Sequence, residues 1–239
     1  MPINANNTTV LYDNFALAAY LKSAAPSFSR TMYDATTLAD SSVVYEPGLQ
    51  QIGFALTGLF DAATGAGTLL DDITSRLGSA TPTAATISPS GFTAGNPAWL
   101  LPALTVDYQL SSSVADLVPF TLNLGAGAAP GLGSCLTALA AQTATGNGTS
   151  QDNSAATTSG AVAHLHITAV SGTTPSMTVI VQHSTNNSTW TTLGSFSAAT
   201  AVGSQTLQIS GTVNRYVRAS FTISGTDPSF TTLVALARF

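Results

Sequence analysis

Alternation is the feature that most restricts this chain. Over 216–224, Val217, Ala219, Phe221 and Ile223 fall on one side of an extended backbone. Tyr216, Arg218, Ser220 and Thr222 fall on the other. That is the period-2 pattern of a strand with one buried face, and a helix would scatter the same apolar positions around its circumference. The texture continues through the last third of the chain. Segments 162–170, 177–183, 189–196, 204–210 and 230–238 are rich in β-branched or aromatic residues. Ser171-Gly172, Thr185-Asn186-Asn187, Ser210-Gly211 and Gly225-Thr226-Asp227-Pro228 separate them as turn signals. Short strands at this spacing predict an antiparallel β-sandwich or jelly roll over 161–239.

The first part of the chain mixes patterns. Segments 27–32, 51–60, 104–111 and 117–125 have strand character; Ile52, Phe54, Leu56, Gly58 and Phe60 alternate with Gly53, Ala55, Thr57 and Leu59. One helix is predicted over 68–77, where Leu69, Leu70, Ile73 and Leu77 form an apolar stripe. Thr68 can cap it, Asp71 can answer the cap, Asp72 and Arg76 stand four apart, and Gly78 can close the end. Segment 78–96, with Pro82 and Pro89, is mostly loop with a short strand at 86–88. Between Met32 and Gln50 no period is visible, and loops that long inside a compact unit usually carry function. A Thr/Ser/Gly/Asn-rich stretch over 142–160 reads as a linker. The expected architecture is therefore mainly β: a β-barrel or sandwich with one helix over 1–141, a linker over 142–160, and a C-terminal antiparallel β-sandwich over 161–239.

Charge then narrows the function. The 239 residues hold only 6 Lys+Arg and 11 Asp+Glu, 7% charged with a net of −5, against roughly 25% in ordinary soluble proteins. The single lysine, Lys22, argues against a basic nucleic-acid reader. Residues 1–150 carry nine acids and three bases, and the remainder two acids and three bases. A surface this poor in charge is weakly soluble alone, which predicts that copies of the chain cover one another. The opening segment 1–10 has neither the basic nor the apolar region of a secretory leader.

Catalytic constellations do not assemble from the sequence, so catalytic, cofactor-binding and metal residues are all expected to be none. His164 and His166 share one side of a strand, expected to be the wetter one, and His183 is on another; with no carboxylate implied beside them, a metal site is not expected. Cys135 precedes an Ala/Leu run and reads as a small buried hydrophobe. Gly131-Leu132-Gly133-Ser134 lacks the lysine of a phosphate loop and reads as a flexible connection. Trp190, Tyr216 and Phe221 could form a sugar-stacking platform, the basis of an alternative reading as a virion decoration or host-surface, carbohydrate-binding protein.

One ordered set of motifs carries a resemblance. FALAAYL at 15–21, Ser27-Phe28-Ser29-Arg30, DATTLAD at 34–40, Tyr45-Glu46-Pro47-Gly48-Leu49 and IGFALTGLFD at 52–61 occur in that sequence and spacing. Over about residues 8–126 the chain resembles the tail tube (major tail) protein family of long-tailed bacteriophages. The predicted helix and the 117–125 strand also fall where that family has them. The C-terminal piece, with VQHSTNNSTW and NRYVR, resembles a β-rich virion module, either an external appendage or a second tube-type barrel. The resemblance implies a non-enzymatic subunit that forms stacked hexameric or trimeric rings, with DNA passing transiently and non-specifically through the lumen. It further implies a virion location in the phage tail, assembly in the host cytoplasm, no membrane, and tail terminator, tape measure and tip proteins as partners. The loop carrying Tyr33, Asp34, Asp40, Tyr45, Glu46, Pro47, Gly48 and Leu49 is then the inter-subunit contact, with Glu46–Leu49 as a turn. Because it lacks lysines, its contacts are expected to be apolar or polar. Asp107 and Asp116, flanking a strand pair, are the lumen or rim candidates, in a lining expected to be acidic enough to repel phosphate.

Overall fold

The computed structural model describes residues 5–61, 63, 65, 67–114 and 116–239; the first four residues of the opening segment lie outside them. The first half runs through β1 (Thr9–Tyr12), β2 (Phe15–Ala16), β3 (Leu21–Asp34), β4 (Tyr45–Leu59), α1 (Leu69–Arg76), β5 (Thr83–Ser88), β6 (Pro97–Leu110), β7 (Pro119–Ala126) and β8 (Gly131–Cys135). The second runs through β9 (Ala140–Gln142), β10 (Gly146–Asn147), β11 (Gln151–Asp152), β12 (Ala161–Ser184), β13 (Thr191–Ser195), β14 (Gly203–Ile209) and β15 (Tyr216–Arg238). The protein is mainly β, and its strands join antiparallel into one continuous sheet system. Among the described residues, no helix is long and apolar enough to cross a membrane.

Local chemistry explains the first half. Phe54, Leu56, Leu122 and Leu124 alternate inward and pair across β4 and β7, Leu56 opposite Leu122 and Phe54 opposite Leu124. They pack with Val10, Tyr12, Ile73, Ile87 and Leu101 into one core. Helix α1 forms as its caps predict. The Asp71 amide donates to Thr68 Oγ1 at 3.4 Å, Arg76 Nε meets Asp72 Oδ1 at 2.8 Å, and Gly78 closes the end at φ +82°. Ile73 is its buried anchor.

The second half departs from six separate strands. β12 and β15 are single long strands paired from Ala161 opposite Arg238 to Ser184 opposite Tyr216. Ser171-Gly172 and Gly225-Thr226-Asp227-Pro228 do not reverse the chain. They belong to two copies of one hexapeptide, SGTTPS at 171–176 and SGTDPS at 224–229, which face each other and bend both strands together, with register shifts between Ser171 and Ser176. Gly172 and Gly225 take φ +110° and +121°, and a Cβ on Gly172 would stand 2.6 Å from the Asp227 carbonyl oxygen. The ribbon thereby folds over itself. Ala163, Leu165 and Ile167 from one arm meet Val179, Val181, Ala219 and Phe221 from the other in a second core.

Stretch 142–160 is tied down rather than loose. It holds β10 and β11, and Gln142, Gly146 and Gln151 pair in turn with Phe230, Phe221 and Val217 down β15. The Gly131–Ser134 segment is likewise strand, not flexible loop: β8 pairs with both β6 and β15 and joins the halves. Between them Leu11, Leu100 and Cys135 pack on Val162, Leu233 and Ala235.

Candidate assembly surfaces

Segment 33–50, read above as a loop without period, has paired backbone at both ends. β3 and β4 pair from Leu21 opposite Gly58 to Asp34 opposite Tyr45, with register shifts between Leu21 and Ser23 and between Arg30 and Met32, leaving 35–44 as the connection. The outer part of this hairpin has no core beneath it. Met32, Tyr33, Leu38, Val43, Tyr45 and Leu49 are all exposed, Tyr33 at 61% and Leu49 at 88%, an apolar surface that a monomer has no reason to keep. It is an arm rather than a mobile loop.

The motif residues shape the arm. Glu46-Pro47-Gly48-Leu49 is not a turn but part of β4, with Pro47 opposite Met32 and Glu46 opposite Tyr33. The Tyr33 ring lies across Gly48, where a Cβ would come 2.6 Å from Tyr33 Cε2, so a side chain there would push the exposed ring off the strand. The reversal itself is built by the two acids of DATTLAD. Asp34 Oδ1 accepts from the Thr36 amide at 2.9 Å, and Asp40 Oδ2 accepts from the Thr37 amide and hydroxyl at 2.7 and 2.8 Å. These hydrogen bonds hold both carboxyls below their ordinary range. Asp34 and Asp40 are thus engaged with their own loop.

Behind the arm, β3, β4, β7 and the outer half of β6 form a four-stranded sheet. One face packs on the core. The other is made of small neutral side chains, with Ser23, Ser27, Ala55, Thr57, Thr121 and Asn123 among them. Asp107 is on this face and accepts from Gln109 Nε2 at 2.7 Å and Asn123 Nδ2 at 3.5 Å. Asp116 is not beside it; it lies in the β6–β7 connection, accepting from the Leu117 amide at 2.8 Å. Both outer edges of the sheet lack a strand among the described residues: β3 pairs only with β4, and β6 beyond Ala103 pairs only with β7. Open edges were invisible in the sequence, although the run of Ser23, Ala25, Ser27 and Ser29 at alternate positions is the local signal of a polar sheet face.

Other sequence candidates do not come together. His164 and His166 are not on a wet face but fully buried against the first half of the chain, and His183 stands apart, accepting from the Asn214 amide at 3.2 Å. Burial pushes the Cys135 thiol up to about 12, away from thiolate chemistry. Phe221 is a core residue and shares no surface with Trp190, over whose ring the Arg218 guanidinium lies at 4.2 Å.

No protein-family model matches the chain, and no curated protein does. Solved structures similar to it include a chain of the virion of a native gene transfer agent particle, with a TM-score of 0.45 at 14% identity over 55% of this chain and 98% of that one. The Dit protein of phage SPP1, a hub adsorption apparatus protein of phages infecting Gram-positive hosts, is similar with a TM-score of 0.41 at 13% identity over 97% and 99%. The SPP1 tail tube protein follows at 0.40 and 11% over 52% and 75%.

Proposed function

We propose that this chain is a phage-type tail tube subunit, a non-enzymatic structural protein that closes into rings and stacks them into a tube for DNA. The observation that carries this reading is the β3–β4 arm, a paired ribbon whose exposed apolar side chains have nothing of their own chain to cover them. An isolated two-stranded ribbon is marginal in water, and a second copy supplies the missing layer. The free edges of β3 and outer β6 give each subunit two sides for strand pairing around a ring, and closure removes edges that would otherwise aggregate. Contacts that repeat along the axis then generate a filament.

The small neutral sheet face suits the lumen. The residues named on it are uncharged apart from Asp107, whose carboxylate is already shared with two amides. The lining is thus non-adhesive by neutrality more than by repulsion, a change from the acidic lining expected above. Asp116 belongs to the end of the sheet, at a ring-to-ring rim.

Negative-stain microscopy with sedimentation velocity on concentrated protein tests the reading. Rings and stacked tubes are expected, and the image symmetry decides between threefold and sixfold rings. A monomer at every concentration would overturn it. Closed rings that never stack would replace the tube with a single-ring hub.

A further inference from the structure

The seam between the two halves holds a polar relay that assembly does not use. His164 and His166, on one face of β12, are both fully buried and reach Thr86 of β5. The Thr86 hydroxyl is 3.0 Å from His164 Nδ1 and 2.8 Å from His166 Nε2. His166 Nδ1 stands 2.6 Å from the Asp13 backbone carbonyl. A carbonyl can only accept, so His166 carries its proton on Nδ1 and its Nε2 is bare. Thr86 then donates its single hydrogen to His166 Nε2 and accepts from His164 Nδ1–H. His164 Nε2 is left as a buried lone pair without a hydrogen-bond partner. With both rings neutral, this is the one arrangement of hydrogens that fills all three bonds and leaves no buried donor without an acceptor.

The relay continues on the far side of Asp13, a non-glycine residue at φ +52°. Ser204 Oγ of β14 donates to Asp13 Oδ1 at 2.7 Å, and Arg76 of α1 meets Asp13 Oδ2 at 3.0 Å. Arg76 also holds Asp72 and the Thr83 hydroxyl. Strands β12 and β14 of the second half are thus tied to β5, α1 and the Asp13 turn of the first.

We propose that this relay is an acid-sensitive latch: with both imidazoles neutral it clamps the two halves, and a proton on either ring opens that end of the seam. A proton added to His166 goes to Nε2; Thr86 must then turn its hydrogen to His164 Nδ1, which forces the His164 proton onto Nε2, a buried donor with no acceptor. One added to His164 must go to Nε2, where no acceptor waits. From the turn after β1 the pair faces Asp13, which is held from α1 by Arg76 with Asp72 behind it. β5, β14 and β15 present hydroxyl and apolar groups. Asp13 and Asp72 are bound to Arg76, and the charge and carbonyl of Asp13 offset only part of what burial costs a charged His166. Burial pushes His166 down to about 4 and, with the neighbouring ring, His164 well below its ordinary range. The unfolded rings titrate near 6.5. The latch therefore contributes fully above about pH 6.5 and is lost as pH falls through about 4.

Hydrogen-exchange mass spectrometry on the full chain, corrected for intrinsic rates, tests this. Between pH 7.5 and 4.5, segments 9–16, 83–88 and 203–209 are expected to exchange at least tenfold faster, while 177–184 and 216–223 hold. No response, or the same response everywhere, overturns the latch. His164→Asn with His166→Gln keeps a donor and an acceptor for Thr86 but cannot titrate, so the selective acid response should vanish; an unchanged response would assign it to the carboxylates and refute the proposal. Should that variant fail to fold, an NMR titration of the wild-type rings decides. His164 and His166 must take up protons over the range in which the seam opens; opening without protonation, or protonation without opening, overturns it.

Discussion

Two long antiparallel ribbons in this molecule meet opposite fates. β12 and β15 fold over at their twin bends, so that Leu165, Val179, Phe221 and Phe230 bury one another. β3 and β4 are paired as faithfully but keep their outer part extended and exposed. The difference is sequence placed at the right height. β12 and β15 alternate apolar residues on both sides of a glycine bend, giving the ribbon two faces that match when folded. In β3–β4 the inward alternation of Phe54 and Leu56 gives way toward the tip to exposed apolar and polar residues; the ribbon has a register shift between Arg30 and Met32 but no facing pair of positive-φ glycines to fold it over. Apolar surface covered within the chain stabilises the monomer; the same kind of surface left uncovered is available to a neighbour.

Mutations in the two ribbons should separate monomer stability from assembly. The largest effect is expected from deleting 34–45 in the arm. Rings and tubes should be lost in electron micrographs while the thermal midpoint of the monomer stays within a few degrees; tubes of normal appearance would sever the arm from assembly. Next is Phe230→Ala, which empties a fully buried site in the folded ribbon and should cost ~3–5 kcal/mol in denaturant unfolding; a loss under about 1 kcal/mol would contradict the packing. Gly172→Ala places a Cβ 2.6 Å from a carbonyl at positive φ. It should cost about 1–3 kcal/mol by the same measurement, whereas a neutral result would show the bend to be dispensable. Smallest for the monomer is Leu49→Ser at the arm. Unfolding should shift by no more than ~0.5 kcal/mol, yet the concentration needed for stacking, read by sedimentation, should rise.

Much of this was legible where the pattern is local. The caps of α1, with Thr68, Asp71, Arg76 and Gly78, and the alternation around Phe54 and Leu56 need only neighbouring residues to be read. What escaped depends on residues far apart. Ser171-Gly172 is chemically a turn signal, but it bends a strand here because Gly225-Thr226 stands opposite and continuous pairing on both sides carries the chain through. Pro47-Gly48 likewise imitates a turn, but pairing with Met32 and Tyr33, some fifteen residues earlier, carries the chain through as strand. His164 and His166 look like residues of a wet face until Thr86 and the Asp13 carbonyl, from the other half of the chain, supply their partners. Of the residues proposed for assembly, the apolar ones in the arm could be nominated from sequence; the free edges and the neutral sheet face could not, since an edge is defined by which strand fails to arrive.

The most direct test is a cryo-EM reconstruction of the assembled particle. The account predicts the β3–β4 arm of each subunit seated on the adjoining ring, and the face bearing Ser27, Thr57, Asn123 and Asp107 turned to the lumen. A map with the arm free in solvent, or with the folded β12–β15 ribbon lining the channel, would contradict it.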